Sequence, residues 1–510
     1  MTSGYKSLLE PQSASVSTLE VCENQPPITV IGNESIIESF DPICLQQAVN
    51  VDPICLQQAV NARLAPGIDE LVLNPDAHPG YGAPVGCVMT SDSHIYPGPV
   101  GVDIKCSMSL LQTDLPADAI AERKTRKELI KAICQRIPTG PGKGARDVPK
   151  SRRLDERLGF EVATYGASKN VLRKLGVPNA WSDRCEDAFH RGPDGTYHSL
   201  ENRLKSLLAG NGLRKFPNHV GQLGSYGGGN HFGECEVVSL SQDPKLRQVG
   251  EVFGLKNNCV AFLSHCGSRG FGHTLASHQF KMLKKHFKKS GQAFPAGDSD
   301  LVYAELGSEQ ANRYLCDMAL GANYATVNHL LINQLVLEAF QQVLPGTQGE
   351  LVYFISHNIA RQETDADGRQ RWVHRKGATR AFPAGHPELA RTVYSEHGHP
   401  ILLPGNPIDG SVVMVALPEA QKSAYSINHG AGRAMSRTKA KKKLSQQLID
   451  ANFDQADILS NCPIYPRDEA PAAYKDFDSV LQSVNEAGLA AEVARLNAKF
   501  VIKDSSAADD

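Results

Sequence analysis

The chain has 510 residues, and its 53 lysines and arginines nearly balance 55 aspartates and glutamates, for a net charge of −2. That balance excludes a uniformly basic nucleic-acid binder but leaves room for a local basic groove, because phosphate contacts depend on where cations sit. No apolar run reaches the length of a membrane span. The opening Met1-Thr-Ser-Gly-Tyr-Lys-Ser7 lacks the apolar stretch of a secretory signal, and the twelve cysteines include no Cys-x-x-Cys pair. A cytoplasmic protein with reduced thiols is therefore expected.

Residues 1 to about 25, rich in Ser, Glu and Gln, read as a mobile tail, and 26–510 as one large interlaced α+β domain. Length alone would suggest about three domains. Asp41-Pro-Ile-Cys-Leu-Gln-Gln-Ala-Val-Asn50 recurs as Asp52 to Asn61. Each copy opens with a helix N-cap followed by proline, and an eleven-residue repeat keeps one helical face in phase. It reads as a local duplication in a surface helix. Short apolar strands are then predicted at Glu70–Leu73, Val85–Met89 and Ser107–Leu111, and later at 258–264, 351–355 and 411–417. Apolar spacing of three and four predicts helices over 119–133, 200–208, 329–343 and 439–449. Residues 137–155 form a loop rich in glycine and basic side chains.

Five glycine-flanked segments carry most of the chemistry. They are Gly101-Val-Asp-Ile-Lys-Cys106, Gly227-Gly-Gly-Asn-His-Phe-Gly-Glu234, Ser264-His-Cys-Gly-Ser-Arg-Gly-Phe-Gly-His273, Ser356-His-Asn358 and Asn428-His-Gly-Ala-Gly-Arg433. Asp103, Cys106, His231, His265 and His357 together offer a carboxylate, a thiolate and three imidazoles. Such a set suits Zn, Mn, Fe or Co rather than Mg or Ca, and the thiolate could bridge two ions. Each histidine alone also fits a structural role. Repetition shifts the reading toward metal, with His265 and His357 expected just past strand ends.

Gly227-Gly-Gly229 and Gly430-Ala-Gly432 offer backbone amides to an anion. Arg269 adds a guanidinium suited to phosphate. Arg433 and Arg437 are expected to share a helix face, extended by the basic run to Lys443. His374-Arg-Lys-Gly-Ala-Thr-Arg380 is a second basic cluster. Such clusters favour a polyphosphate or an RNA backbone as ligand. There is no P-loop and no Rossmann fingerprint. A neutral His429 could attack phosphorus or serve as a sixth metal ligand.

These segments, with Asp76-Ala-His-Pro-Gly-Tyr-Gly82, His374-Arg-Lys-Gly-Ala-Thr-Arg-Ala-Phe-Pro383, Ala473-Tyr-Lys-Asp476 and Val501-Ile-Lys503, resemble the RtcB family of RNA-splicing ligases from about residue 65 to 503. The resemblance implies that family's fold with a central metal-binding cleft. It implies a GTP- and Mn(II)-dependent ligase joining RNA 2′,3′-cyclic phosphate or 3′-phosphate ends to 5′-hydroxyl ends, in splicing or repair. Asp103, Cys106, His231, His265 and His357 would hold two Mn ions with Cys106 bridging, and His429 would carry GMP. Asn230, Glu234, Asn358, Asn406, Ser411, Arg433 and Lys503 would surround the guanosine and its phosphates. An archease-type activator is an implied partner. The chain departs from the family pattern at Ser107 and Ser109, at Pro404-Gly-Asn-Pro-Ile-Asp409 and at Asn428, so a divergent paralogue is expected. A metal-dependent RNA phosphoesterase and a non-catalytic RNA-binding paralogue are the alternatives.

Overall fold

The computed structural model describes residues 5, 8–23, 25–40, 55–142, 153–210, 212–365 and 367–504. Among the described residues, two large sheets, two two-stranded sheets and a set of helices give a mixed α/β fold. The first sheet runs Glu10–Ser13, Val16–Leu19, Ile28–Ile31, Glu70–His78, Val85–Ser91, Gln370–Lys376 and Asn358–Thr364 in spatial order. The second runs Gly349–Ser356, Ser107–Pro116, Cys259–Cys266, Phe232–Leu240, Ala490–Ile502, Gly410–Ala416 and Pro400–Asn406, and Leu459–Ser460 joins Ala490–Ile502 in parallel. The chain passes from one sheet to the other at His357, between Gly349–Ser356 and Asn358–Thr364. Candidate ligands therefore gather where the two sheets meet.

Glu309–Val343 is a 35-residue helix, about 52 Å long at the standard rise. Apolar side chains occur all round it, so it is buried along most of its length, as such a composition requires. Ser308 caps its start by accepting a hydrogen bond from the Ala311 amide. It packs on Arg269–Ser290 and Arg123–Arg136.

Several expectations are corrected. The N-terminal tail is paired over part of its length: Glu10–Ser13 and Val16–Leu19 form a hairpin on Ile28–Ile31, and Val16 and Leu19 are buried. Ser- and Glu-rich composition hid a short alternating strand. The segment 439–449 is two helices, Arg437–Lys443 and Gln446–Gln455, separated at Leu444 and Ser445, which have extended backbone. The helix predicted over 119–133 is a 3-10 turn at Ala117–Ile120 followed by Arg123–Arg136. The first repeat copy and residues 52–54 of the second lie outside the described residues, as do 143–152 of the glycine-rich loop; Cys55–Arg63 is helical.

The cluster around residues 374–380 is an internal network rather than a phosphate-binding surface. Arg375 grips Glu363 through two hydrogen bonds of 2.7 and 2.8 Å and donates to Ser426 Oγ at 2.9 Å. Arg380 pairs with Glu186 and Asp187. Arg375 and Glu363 are both buried, and breaking one side of such a pair strands a charge. Glu363→Gln is expected to cost about 3 kcal/mol of stability, read as a lowered denaturation midpoint with an unchanged slope.

Candidate metal and nucleotide site

Asp103 and Cys106 lie on the turn that feeds the strand Ser107–Pro116. Lys105 between them has φ 54°, the left-handed region that glycine or asparagine usually occupies. Its buried amine donates to Asp187 O and Thr326 Oγ1, each at 2.8 Å, and lies 2.9 Å from His190 Nε2. The turn is thus pinned from inside. Burial pushes the Lys105 amine down to about 8.

His265 lies inside the strand Cys259–Cys266, opposite Met108 and Phe232, rather than past its end. His231 immediately precedes Phe232–Leu240. An added Cβ at Gly227 would fall 2.3 Å from His231 Nδ1, so glycine there makes room for the imidazole. Cys106 Sγ lies 3.2 Å from His265 Nε2 and 3.5 Å from His231 Nε2. His231 Nε2 is 2.9 Å from Asp103 Oδ2, and His265 Nε2 is 3.4 Å from His357 Nε2. These contacts form two triads, Asp103–Cys106–His231 and Cys106–His265–His357, with the thiol common to both.

Burial, and then neighbouring histidines, hold His265 and His357 well below the usual imidazole range. Burial also pushes His231 down, but the Cys266 and Cys106 sulfurs and Asp103 outweigh it and raise its pKa. Burial alone would raise Asp103; the hydrogen bond and charge of His231 reverse that. Burial, then Asp103, pushes the Cys106 thiol far up. The buried Cys106 thiol stands between neutral His265 and His357 on one side and the His231–Asp103 pair on the other, and divalent ions bound there would displace the thiol proton and that of His231. The donor set therefore fits a borderline transition metal.

His429 follows Ser426–Asn428, which pairs with Ala378–Arg380. Its Nδ1 lies 2.7 Å from Asp76 Oδ2 and 2.9 Å from Gly377 O, and its amide donates to Asp76 Oδ2 at 3.2 Å. With two acceptors at Nδ1, the proton is assigned there and Nε2 keeps its lone pair. The rings of His429 and His357 stand 4.6 Å apart at 40°. Asp76, fully buried on Glu70–His78, was not among the residues expected at the site, although its motif was part of the resemblance. Its partner is 353 positions away, beyond the reach of any local pattern. An added Cβ at Gly432, φ 72°, would lie 2.3 Å from Asp76 O. That glycine serves close packing of the His429 loop on Asp76 rather than an open nest.

A cavity of about 920 Å³ is lined by Asp103, His265, His357 and His429, and by Asn230, Asn358 and Arg433. Glu234, Asn406, Ser411 and Lys503 line a second cavity of about 30 Å³, and Phe232, Pro404, Gly405 and Tyr474 border both. The seven residues expected around guanosine are thus split between two adjoining spaces. The smaller has room for only a water or two, so a purine would have to open it. Asn406 closes its own turn, donating to Asp409 Oδ2 at 2.6 Å and accepting from the Ile408 and Asp409 amides. Asn358 donates to Asp103 O at 3.3 Å and accepts from the Gly377 amide at 2.8 Å, tying the metal turn to the His429 loop.

Arg433 and Arg437 do not share a helix face, because the helix begins at Arg437 and Ser436 caps it. They converge instead on Glu469. Arg433 Nη1 is 3.6 Å from it, Arg437 pairs with it, Lys503 Nζ lies 2.8 Å away and Tyr474 Oη donates to it at 2.7 Å. Burial would raise this carboxyl, but Lys503 and Arg437 bring it down to about 2. Glu469 was missed by sequence reasoning, because nothing in Arg467-Asp-Glu469 marks it. Burial pushes Glu234 up to about 7. Arg269 turns inward, donating to Ser225 Oγ and Gly140 O at 3.2 Å each, and is not presented to an exposed phosphate.

A cavity edged by imidazole and carboxylate donors and by an oriented histidine, with a buried thiol behind them, has the donors of an enzyme site that could hold a metal ion. Residues 58–504 match the family profile described as tRNA-splicing ligase RtcB. The tRNA-splicing ligase RtcB of Aeropyrum pernix is 34% identical over 446 residues, 85% of this chain and 87% of the relative. That of Nanoarchaeum equitans is 34% identical over 498 residues, 94% and 95% of the two chains. The RNA-splicing ligase RtcB of Mycobacterium tuberculosis is 33% identical over 437 residues, 83% and 94%. The chain belongs to the RtcB family.

Proposed function

We propose that this RNA ligase joins a 3′-phosphate RNA end, or a 2′,3′-cyclic phosphate end first opened by water, to a 5′-hydroxyl end, using GTP and two Mn(II) ions. The observation that carries the reading is the shared thiol of two ligand triads with His429 directly beside them. Bound Mn(II) would be held by Asp103, Cys106, His231, His265 and His357, and would neutralise charge developing on phosphate oxygens. Asp76 and Gly377 O hold the His429 proton at Nδ1, directing the Nε2 lone pair outward. Nε2 attacks the α-phosphorus of GTP; a P–N bond forms, the P–O bond to pyrophosphate breaks, and pyrophosphate leaves. An RNA 3′-phosphate oxygen then takes GMP from His429. The 5′-hydroxyl attacks that phosphate, loses its proton and expels GMP.

Asn230, Asn358 and Arg433 would meet the phosphates, and Glu234, Asn406, Ser411 and Lys503 the base and sugar. The RNA-end specificity, an archease-type activator and a cytoplasmic location belong to this reading too. Among the described residues, no helix is long and apolar enough to cross a membrane. The departures have local partners. Ser107 Oγ donates to Lys105 O, Ser109 Oγ meets His329 Nδ1 at 2.9 Å, and Asn428 donates to Gly430 O at 2.8 Å. None displaces a proposed ligand.

The narrow base space and self-closed Asn406 turn favour one second reading, a metal-dependent phosphoesterase that opens cyclic phosphates without guanylate. A gel assay with end-defined RNA separates the two. Joined product that requires GTP supports ligation; a linear phosphate released equally with and without GTP supports the esterase. Asp76→Asn is expected to slow joining on the order of a hundredfold while metal affinity is kept, since only the tautomer and tilt of His429 change. Single-turnover transfer of label from GTP to protein checks this.

A further inference from the structure

The helix Arg269–Ser290 begins beside Asp103, where Ser268 donates to the carboxylate from both its amide and its Oγ. Its 22 residues contain five lysines, at 281, 284, 285, 288 and 289, and no acidic residue. In a chain of net charge −2 that is a strong local concentration. The apolar side, with Phe271, Leu275, Leu283 and Phe287, is buried. The other side presents His273, Ser277, Lys281, Lys285, Lys288 and Lys289 to solvent. Ser277 and Phe280 line the large cavity. From Ser277 to Lys288 the exposed stripe runs about 16 Å at the helical rise. Cation spacing of three and four keeps Lys281, Lys285 and Lys288 on one side.

Tyr81 also lines the cavity and is 77% exposed. Its backbone is fixed, because Lys376 Nζ donates to Tyr81 O at 2.5 Å and the next residue, Gly82, packs so tightly on Asp300 that an added Cβ would lie 2.7 Å from Asp300 O. Asp300 pairs in turn with Lys284 at 2.5 Å. A fixed loop therefore carries a free aromatic ring beside the lysine stripe, at the mouth of the metal cavity. A cationic track beside a stacking ring is the chemistry that holds single-stranded nucleic acid.

We infer that this face of the helix, with Tyr81, is the track on which a single-stranded RNA end lies as it enters the cavity. The lysines hold the phosphodiester backbone, and Tyr81 stacks on a base near the reacting end. The inference rests on the ligase reading and extends it to the substrate path.

The test compares wild type, the triple variant K281Q/K285Q/K288Q and Tyr81→Ala. Lys284 is kept because it pairs with Asp300. Each protein is titrated with a fluorescent oligoribonucleotide bearing a 3′-phosphate at several salt concentrations, and labelling by GTP is measured alongside. Each lost single-strand phosphate contact lowers the log–log salt slope by about 0.7, so the triple variant loses about 2. The affinity ratio of wild type to variant then changes about 16-fold between 50 and 200 mM salt. Tyr81→Ala weakens binding about tenfold with its slope unchanged. Labelling by GTP stays at the wild-type level in both. An unaltered slope and affinity in the triple variant, with GTP labelling intact, overturns the track and leaves the ligase reading standing. Absence of labelling in the wild type instead overturns the ligase reading.

Discussion

Alanine in place of His429 will reduce RNA joining to background, a fall of at least about four orders of magnitude, because the nitrogen that attacks phosphorus is removed. Among the contacts around Asp76 Oδ2 and Gly377 O, only the His429 ring presents a nitrogen with a free lone pair toward the cavity. His357, 4.6 Å away, points its Nε2 at His265. The variant should keep its fold, since the lost contacts are few and the ring borders open space. It should also bind Mn(II) normally, because His429 belongs to neither ligand triad. An RNA already carrying GMP on its 3′-phosphate would bypass the missing step, and joining of that substrate by His429→Ala should approach the wild-type rate. Failure of the bypass would place His429 in the final displacement as well.

Removing the Cys106 thiol is the second large effect. The sulfur is the one atom common to both triads, so Cys106→Ala should weaken both ions by at least about a hundredfold. His231→Ala and His357→Ala each strike one triad and should each leave one tight ion. Electron paramagnetic resonance titration with Mn(II) counts ions without reference to activity. The expected stoichiometries are two for wild type, one for each histidine variant and close to none for Cys106→Ala. Ligand binding stabilises the native state in proportion to the logarithm of saturation, about 2.7 kcal/mol at a hundred times Kd. Mn(II) should therefore raise the melting temperature of the wild type and leave that of Cys106→Ala unchanged. Two ions in Cys106→Ala would mean that the thiol is a bystander.

The five residues that converge on Cys106 were legible as candidates because each sits in a distinct local motif with glycine, serine or asparagine nearby. What the sequence could not supply was who meets whom. Asp76 and His429 are 353 positions apart and Cys106 and His265 are 159, so they meet only through long-range strand pairing, Ser107–Pro116 with Cys259–Cys266 and Ala378–Arg380 with Ser426–Asn428. Strand positions were read well where apolar runs were continuous, as at Leu351–Ile355 within Gly349–Ser356. The hairpin at 10–19 escaped because only Val16 and Leu19 mark it. The basic cluster at 374–380 was misread for a physical reason. Arg375 is buried against Glu363 on the paired neighbouring strand, and Arg380 against Glu186 and Asp187 from a segment far earlier in the chain. Arg269 was misread in the same way. The helix Arg269–Ser290 and its lysines were not among the elements expected from the sequence, and only their continuity with the cavity rim gives them meaning.

The most direct test of the account is peptide mapping by mass spectrometry after incubation with GTP and Mn(II). The account predicts one GMP, acid-labile as a P–N bond requires, on the peptide containing Asn428-His-Gly430, absent when the metal is chelated. GMP on a lysine, or efficient RNA joining with no guanylylated protein at all, would contradict it.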